Sequence, residues 1–246
     1  MPLKEEFERT GQWLFRWRSY LPLFLIALFL IAFRDFKYPF GSHRLDYLWE
    51  IFCLFVSMLG IVLRALTVGF IPKGTSGRNT KGQVAEDLNT TGMYSLVRNP
   101  LYLGNFIIWL GISLFVRLWW FSLIVILIFG IYYERIIFAE EEFLRHQYGH
   151  RYLEWAEKTP AFFPKFNGWR KPALPFSFRT ALKREHTGFF AVIAIFTFLE
   201  IIGDYFVKRI FEFDTAWKII FFSGLIIYLG LRTMKKTNLL NVAGRP

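Results

Sequence analysis

Apolar residues run through this chain in long stretches, separated by short polar interruptions. About 20 consecutive apolar residues are enough to cross a bilayer. The pattern predicts six such spans: Trp13–Phe33, Tyr47–Ile71, Leu101–Leu118, Trp119–Phe138, Gly188–Val207 and Thr215–Leu231. Almost nothing separates the third span from the fourth, so they form a tight helical hairpin with Arg117, Trp119 and Trp120 at the interface. Residues 1–12 are charged and polar, an interfacial lead-in. Arg34–Asp46 reads as a polar loop with Pro39 and Gly41. Pro72–Thr91, rich in Gly, Thr, Asn and Lys, is a second loop. Ala139–Lys158 reads as a helix at the solvent edge, with Gly149 as its break. Thr159–His186 carries Pro160, Pro164, Pro172 and Pro175 and reads as a basic irregular segment. The first apolar run starts late and no small-residue cleavage site follows it, so no cleavable signal is expected. The expected fold is an all-α integral membrane protein of about six transmembrane helices, with a central helical hairpin and a cytosolic helix. Residues 1–246 are expected to be a single membrane domain, with a core at 85–165 and two extra C-terminal spans at 188–231.

Composition agrees with the pattern. The chain is 54% hydrophobic and carries 30 Phe and 9 Trp, more than a soluble core of this size requires. Its one cysteine, Cys53, excludes an internal disulfide and a thiolate metal cluster. The net charge of +11 would suggest nucleic acid in a soluble protein. Here it points to cytoplasmic loops against anionic headgroups, and no nucleic-acid partner is expected. With both termini inside, twenty-one of the 30 Lys and Arg residues fall on the inner side, six on the outer side and three within spans. That asymmetry fits the preference of positive charge for the cytoplasm. The expected location is an inner or plasma membrane in a bacterium, or an ER-type membrane in a eukaryote, with the active site facing the cytoplasm. The sequon at Asn89 then lies on the wrong side for glycosylation.

Candidate chemistry sits at the two ends of the hairpin. Gly92–Gly104, GMYSLVRNPLYLG, precedes it, and Glu140, Glu141 and Glu142 follow it. Legs of similar length would bring these two elements to one membrane face. Pro100 suits a first helical turn, where its missing N–H costs nothing. The first-turn amides and the positive end of the helix favour an anionic or electron-rich group. Carboxylates leaving the membrane can hold an amine. Tyr94 and Tyr102 offer ring contacts.

The combination of Leu88, Gly92, Tyr94, the run RNPLYLG (98–104), the run EEEFLRHQYGHRY (140–152), Pro160 and Pro164 resembles the isoprenylcysteine carboxyl methyltransferase and phospholipid methyltransferase group of integral-membrane enzymes. The resemblance covers residues 85–165. It implies methyl transfer from S-adenosylmethionine to a membrane-embedded lipid or lipidated acceptor: a headgroup amine, a phosphate or a prenylcysteine carboxylate. It implies a cofactor wall of Leu88, Asn89, Tyr94, Asn99, Pro100, Leu101 and Tyr102, with Glu141 as partner of the methionine amine. Arg98, Glu140 and Arg135 take the catalytic positions, and Glu142 is an extra acid. Asn99 stands where the family more often has His, and Asn cannot titrate near neutrality. The family often places an Arg just before the Glu pair; here the nearest is Arg135.

Plainer readings stand beside these. Arg64, inside the second span, can simply snorkel to the headgroups, or it can act as a buried ligand for an anionic headgroup together with Arg98 and Arg135. Arg98 can serve as an interfacial anchor. Glu140–Glu142 can be a solvated run, with Glu141 and Arg145 as an i,i+4 pair. His146 and His150 have metal-compatible spacing but lack the Glu of a zincin motif, so they read as surface residues and no metal is expected. The basic stretch Lys165–Arg184 reads as a loop on anionic lipid. Two other functions compete: a nicotinamide-dependent membrane sterol or enone reductase, and a transporter or scaffold without chemistry.

Overall fold

The computed structural model describes residues 2–18, 25–75 and 87–246. These form helices α1 (Leu3–Trp17), α2 (Leu25–Ala32), α3 (His43–Gly69), α4 (Pro100–Leu114), α5 (Trp119–Tyr148), α6 (His150–Lys158), α7 (Phe178–Lys208) and α8 (Thr215–Lys236), joined by short 3-10 turns and loops. No strand occurs among the described residues, as the predicted all-α class requires.

Four helices, α3, α5, α7 and α8, are long and apolar enough to cross a membrane. Their outward faces show why. On α3, Leu48, Phe52, Phe55, Leu59, Val62 and Leu66 are all exposed. Steps of three and four residues place them on one stripe. A soluble protein rarely leaves so continuous an apolar face uncovered, whereas lipid suits it.

Helix α7 starts at Phe178, ten residues before the predicted Gly188, so the end of the segment predicted to be irregular is helical. The predicted boundaries need correction in three further places. First, α4 has only 15 residues, about 22 Å of helix at 1.5 Å per residue. That is short of a hydrocarbon core of about 30 Å. Second, the hairpin legs are unequal. The fourth predicted span and the start of the predicted solvent-edge helix are one rod, α5, of 30 residues. It stops at Gly149, whose φ of +51° suits a residue without Cβ, so the predicted break is where the structure has it. Third, the first predicted span begins inside α1 and ends just beyond α2, and its middle lies outside the described residues, as do Arg78 and Lys81 of the charge count.

Local chemistry sets the other helix ends. Ser42 Oγ accepts from the Leu45 amide (3.4 Å) at the start of α3. Ser177 Oγ does the same for Thr180 (3.2 Å) at the start of α7. Between α4 and α5 the chain reverses through Arg117, which has φ +59°. Its guanidinium pairs with the Asp46 carboxylate, donates to the Lys37 carbonyl (2.7 Å) and lies over the Phe36 ring. The turn is therefore fixed to α3 and to the segment before it.

Although α4 and α5 are consecutive, α4 packs chiefly on α3, and α5 chiefly on α1. Glycines permit the first contact. A methyl group on Gly60 would stand 2.5 Å from the Gly104 carbonyl oxygen, and one on Gly111 would collide with Ser57 Oγ. The amphipathic α1 lies along α5 through Gly11, against the Arg135 carbonyl, and through Phe7, which meets Phe138 edge-on. Helix α7 packs on α3 and α8. Phe33, Phe115, Phe196 and Trp217 are fully buried in that part of the molecule.

Candidate functional site

The turn that carries the RNPLY motif is held from both sides. The Gly92 amide donates to the Arg170 carbonyl (2.9 Å), the Arg98 amide to Pro160 (2.8 Å) and the Lys165 amide to Leu96 (2.9 Å). Ser95 Oγ accepts from the Arg170 amide (2.9 Å). The proline-rich segment, predicted as an irregular loop, thus laces onto residues 92–98. Prolines suit that task because their neighbours stay extended. Ordered in this way, the turn presents Asn99 and Pro100 at the start of α4.

A cavity of about 640 Å³ opens next to this turn, within the usual range for small-molecule sites. Leu88, Asn89, Tyr94, Arg98, Asn99, Pro100, Leu101, Tyr102 and Glu140 all line it. Two of the predicted site residues do not. Glu141 lies behind the wall. Arg135 faces α1, its guanidinium 3.4 Å from the centre of the Phe7 ring.

The three consecutive glutamates point in three directions, because successive helical residues differ by about 100°. Glu140 Oε1 accepts from Tyr102 O–H (2.8 Å), with Arg18 Nη1 at 3.7 Å. Glu141 takes a bidentate pair from Arg98 (2.8 and 3.0 Å) and a longer contact from Asn99 Nδ2 (3.4 Å). Glu142 faces Lys4 (2.9 Å) and Arg145 (3.4 Å). The i,i+4 pair considered for Glu141 and Arg145 therefore does not form; Arg145 turns to Glu142 instead. The remaining donors of Arg98 go to the carbonyls of Ala156 (2.7 Å) and Thr159 (3.0 Å), at the end of α6. Arg98 is thus a brace that ties α4, α5 and α6 together. Burial and the nearby Glu141 charge push the Tyr152 hydroxyl on α6 above its ordinary range.

Deeper in, the cavity wall becomes apolar through Ile61, Ile108, Trp109, Ile112 and Ile195, except for one polar chain. Arg64 donates to both carboxylate oxygens of Glu185 (2.8 and 3.0 Å) and to Asn105 Oδ1 (2.6 Å). Asn105 Nδ2 donates to Tyr133 O–H (3.3 Å). Arg64 therefore does not reach out to headgroups. It is tied down in the cavity wall. Sequence reasoning missed Glu185, Asn105 and Tyr133, and also Phe15 of α1 and Arg18 just after it, all of which line the cavity. Glu185 fell in the predicted irregular segment, and nothing in its neighbourhood names a partner 121 residues away. A buried charge such as Arg64 does demand a partner, and that was the usable signal. The wall supplied by α7 also shows that the cavity is not confined to residues 85–165.

Comparison with known proteins agrees with this picture. Residues 50–151 match the model of the phospholipid methyltransferase family, one of the families that the motif resembles. The match begins in α3, earlier than the resemblance read from the motif. The nickel-cobalt-cadmium resistance protein NccN of Alcaligenes xylosoxydans xylosoxydans is 29% identical over 155 residues, 63% of this chain and 65% of that protein. The cobalt-zinc-cadmium resistance protein CzcN of Cupriavidus metallidurans is 32% identical over 132 residues, 53% of this chain and 58% of that protein. The chain thus spans less than two thirds of the length of either relative. No solved structure matches.

Proposed function

We propose that the chain is an integral-membrane methyltransferase that uses S-adenosylmethionine to methylate a lipid or lipidated acceptor. One observation carries the reading. Nine residues assigned to the site from the motif line a single cavity that is polar at the Asn99–Glu140 end and apolar beyond. A membrane-embedded acceptor and a polar methyl donor need those two environments side by side. When bound, S-adenosylmethionine supplies an electrophilic methyl group on a sulfonium, so the protein's task is alignment and exclusion of water.

The residues present suit such a donor. The Glu140 carboxylate, oriented by Tyr102, offers a negative group to an amine. The start of α4 and Arg18 offer positive potential to a carboxylate. Leu88, Asn89, Tyr94 and Leu101 provide the flat, partly apolar surface that a nucleoside needs. The motif alone assigned the amine to Glu141; the proposal assigns it to Glu140, whose carboxylate is on the cavity wall. Arg98 and Glu141 act as positioning residues that hold the wall in place. The apolar region around Trp109 and Ile112 would take the acceptor's lipid part, with Arg64 closest to its polar end. The names of the two relatives describe resistance to metal ions and specify no reaction, so they do not narrow the acceptor.

The test is incubation of membranes containing the protein with methyl-labelled S-adenosylmethionine, followed by separate extraction of lipid and protein. Label is expected in the lipid extract and is expected to be lost in Glu140→Gln. Absence of transfer, together with binding of NADPH rather than S-adenosylmethionine by the purified protein, would establish the reductase reading instead.

A further inference from the structure

A second polar cluster lies at the other ends of α3, α7 and α8. His43 opens α3, Asp204 sits one turn before the end of α7, and Asp214 immediately precedes α8. His43 Nε2 is 3.3 Å from Asp214 Oδ2 and 4.0 Å from Asp204 Oδ2. The three donor atoms lie within 4.8 Å of one another. Donors arranged tetrahedrally about 2.1 Å from a zinc-like ion stand ~3.4 Å apart. Closing the set on a common ion takes rotation of His43, whose side chain is 45% exposed, and release of Lys208 from Asp204 Oδ2.

An independent observation points to the same place. Glu200, one turn before Asp204 on the same face of α7, is only 2% exposed. Neither of its carboxylate oxygens has a hydrogen-bond partner among the described residues. Its foremost charged neighbours are Asp204 and Asp214. Burying a carboxylate without a donor is costly, and a cation beside it removes that cost.

The surrounding charges leave room for one. Asp46 is met by Arg117, and Glu50 by the Trp217 indole N–H (2.9 Å). Asp204 Oδ1 accepts from Tyr38 O–H (2.5 Å), and its Oδ2 from Lys208 (2.7 Å). Lys208 also holds Glu212 (2.8 Å). Asp46, Glu50, Glu200, Asp204 and Asp214 thus gather around two side-chain cations, Arg117 and Lys208. Lys208 marks where this cluster already holds positive charge, and it has Glu212 to retreat to.

We propose that His43, Asp204 and Asp214 bind one divalent transition-metal ion at the end of the bundle away from the cavity, and that its charge stabilises the buried Glu200 carboxylate one turn along α7. One imidazole with carboxylates suits ions such as zinc, cobalt or nickel better than the hard alkaline-earth ions, which take oxygen alone. The sequence reading, which considered only His146 and His150, expected no metal; His43, Asp204 and Asp214 come together only in the fold.

The test uses the whole protein, purified in detergent and stripped with chelator. It is titrated with cobalt(II), followed by visible absorption, and with zinc(II), followed by calorimetry. One ion per chain is expected. Affinity is expected to fall at least tenfold in His43→Ala, which truncates a side chain that is 45% exposed and meets only the edge-on Tyr38 ring besides the two aspartates. The same fall is expected in Glu200→Gln, which keeps the side-chain volume and breaks no hydrogen bond among the described residues. No binding by the unmodified protein would overturn the proposal. Equal affinity and stoichiometry in His43→Ala would also overturn it, because the ion would then sit elsewhere, for instance at exposed His146 or His150.

Discussion

Replacing Arg64 by Met tests whether the polar chain in the cavity wall holds the bundle together. The change removes two hydrogen bonds to Glu185 and one to Asn105. Two unit charges 4 Å apart attract by about 4 kcal/mol at an effective dielectric constant of about 20. Truncating one member of a buried pair costs about 3–5 kcal/mol, because the other charge stays buried. The Arg64 side chain is 19% exposed, which screens the pair in part, whereas that of Glu185 is only 5% exposed. About 3 kcal/mol is therefore the expected loss in Arg64→Met. For a chain of this size that corresponds to a Tm lower by roughly 6–12 °C. Thermal unfolding in detergent, followed by helical circular dichroism, reads the shift. Arg64→Met with Glu185→Met is expected to recover most of it, since apolar replacement of a buried pair is often close to neutral. A single variant that melts within about 2 °C of the parent would refute the reasoning, and so would a double variant no better than the single.

Other consequences can be checked in the same preparation. Tyr102→Phe removes the hydroxyl that orients Glu140 (2.8 Å); at about 1–1.5 kcal/mol for such a bond, S-adenosylmethionine affinity is expected to fall about fivefold to tenfold, read by calorimetry, with the helical signal unchanged. Arg98→Lys cannot reproduce the fork onto Glu141 while also reaching the Ala156 and Thr159 carbonyls; proteolysis between α6 and α7 is expected to accelerate. Gly60→Ala would place a methyl group 2.5 Å from the Gly104 carbonyl oxygen, and is expected to lower stability by about 1–3 kcal/mol as α4 is pushed from α3.

How much of this was legible in the sequence depends on the range of the interactions. Apolar periodicity is local, so both ends of α3, the end of α7 and the start of α8 could be placed closely, whereas the polar first turns of α7, from Phe178, were read as loop. The boundary at residue 139 was misplaced because the predicted span stopped at the run of three glutamates, 140–142. A helix in fact continues across an interface as long as its backbone hydrogen bonds do, and here it runs to Gly149. The motif brought out Asn99, Tyr102 and Glu140 because they are close in sequence to recognisable turns. Arg18, Asn105 and Glu185 carry no such punctuation. They matter only because α1, α4 and α7 meet around one cavity, and that is decided by packing at Gly60, Gly104 and Gly11. The roles within the glutamate run were likewise hidden, since three adjacent letters do not reveal which one points inward.

Helix α7 belongs to both polar regions, and this makes their independence testable. Glu185 stands in the cavity wall and Asp204 in the outer cluster, 19 residues further along the same helix. At 1.5 Å per residue they are separated by ~28 Å, close to a full membrane thickness. Between them α7 presents Val192, Ile193, Phe196 and Leu199 to the buried core, with Thr197 bonded back to its own helix at Ile193 (2.9 Å). No chain of polar side chains connects the two ends among the described residues of α7. Any influence of the outer cluster on the cavity must then pass through displacement of the whole helix. His43→Ala removes one proposed ligand at the far end of α7 and no residue of the cavity wall, so it is expected to leave S-adenosylmethionine affinity unchanged. A change of more than about threefold, roughly 0.6 kcal/mol, in that affinity would mean that the two ends of α7 are coupled.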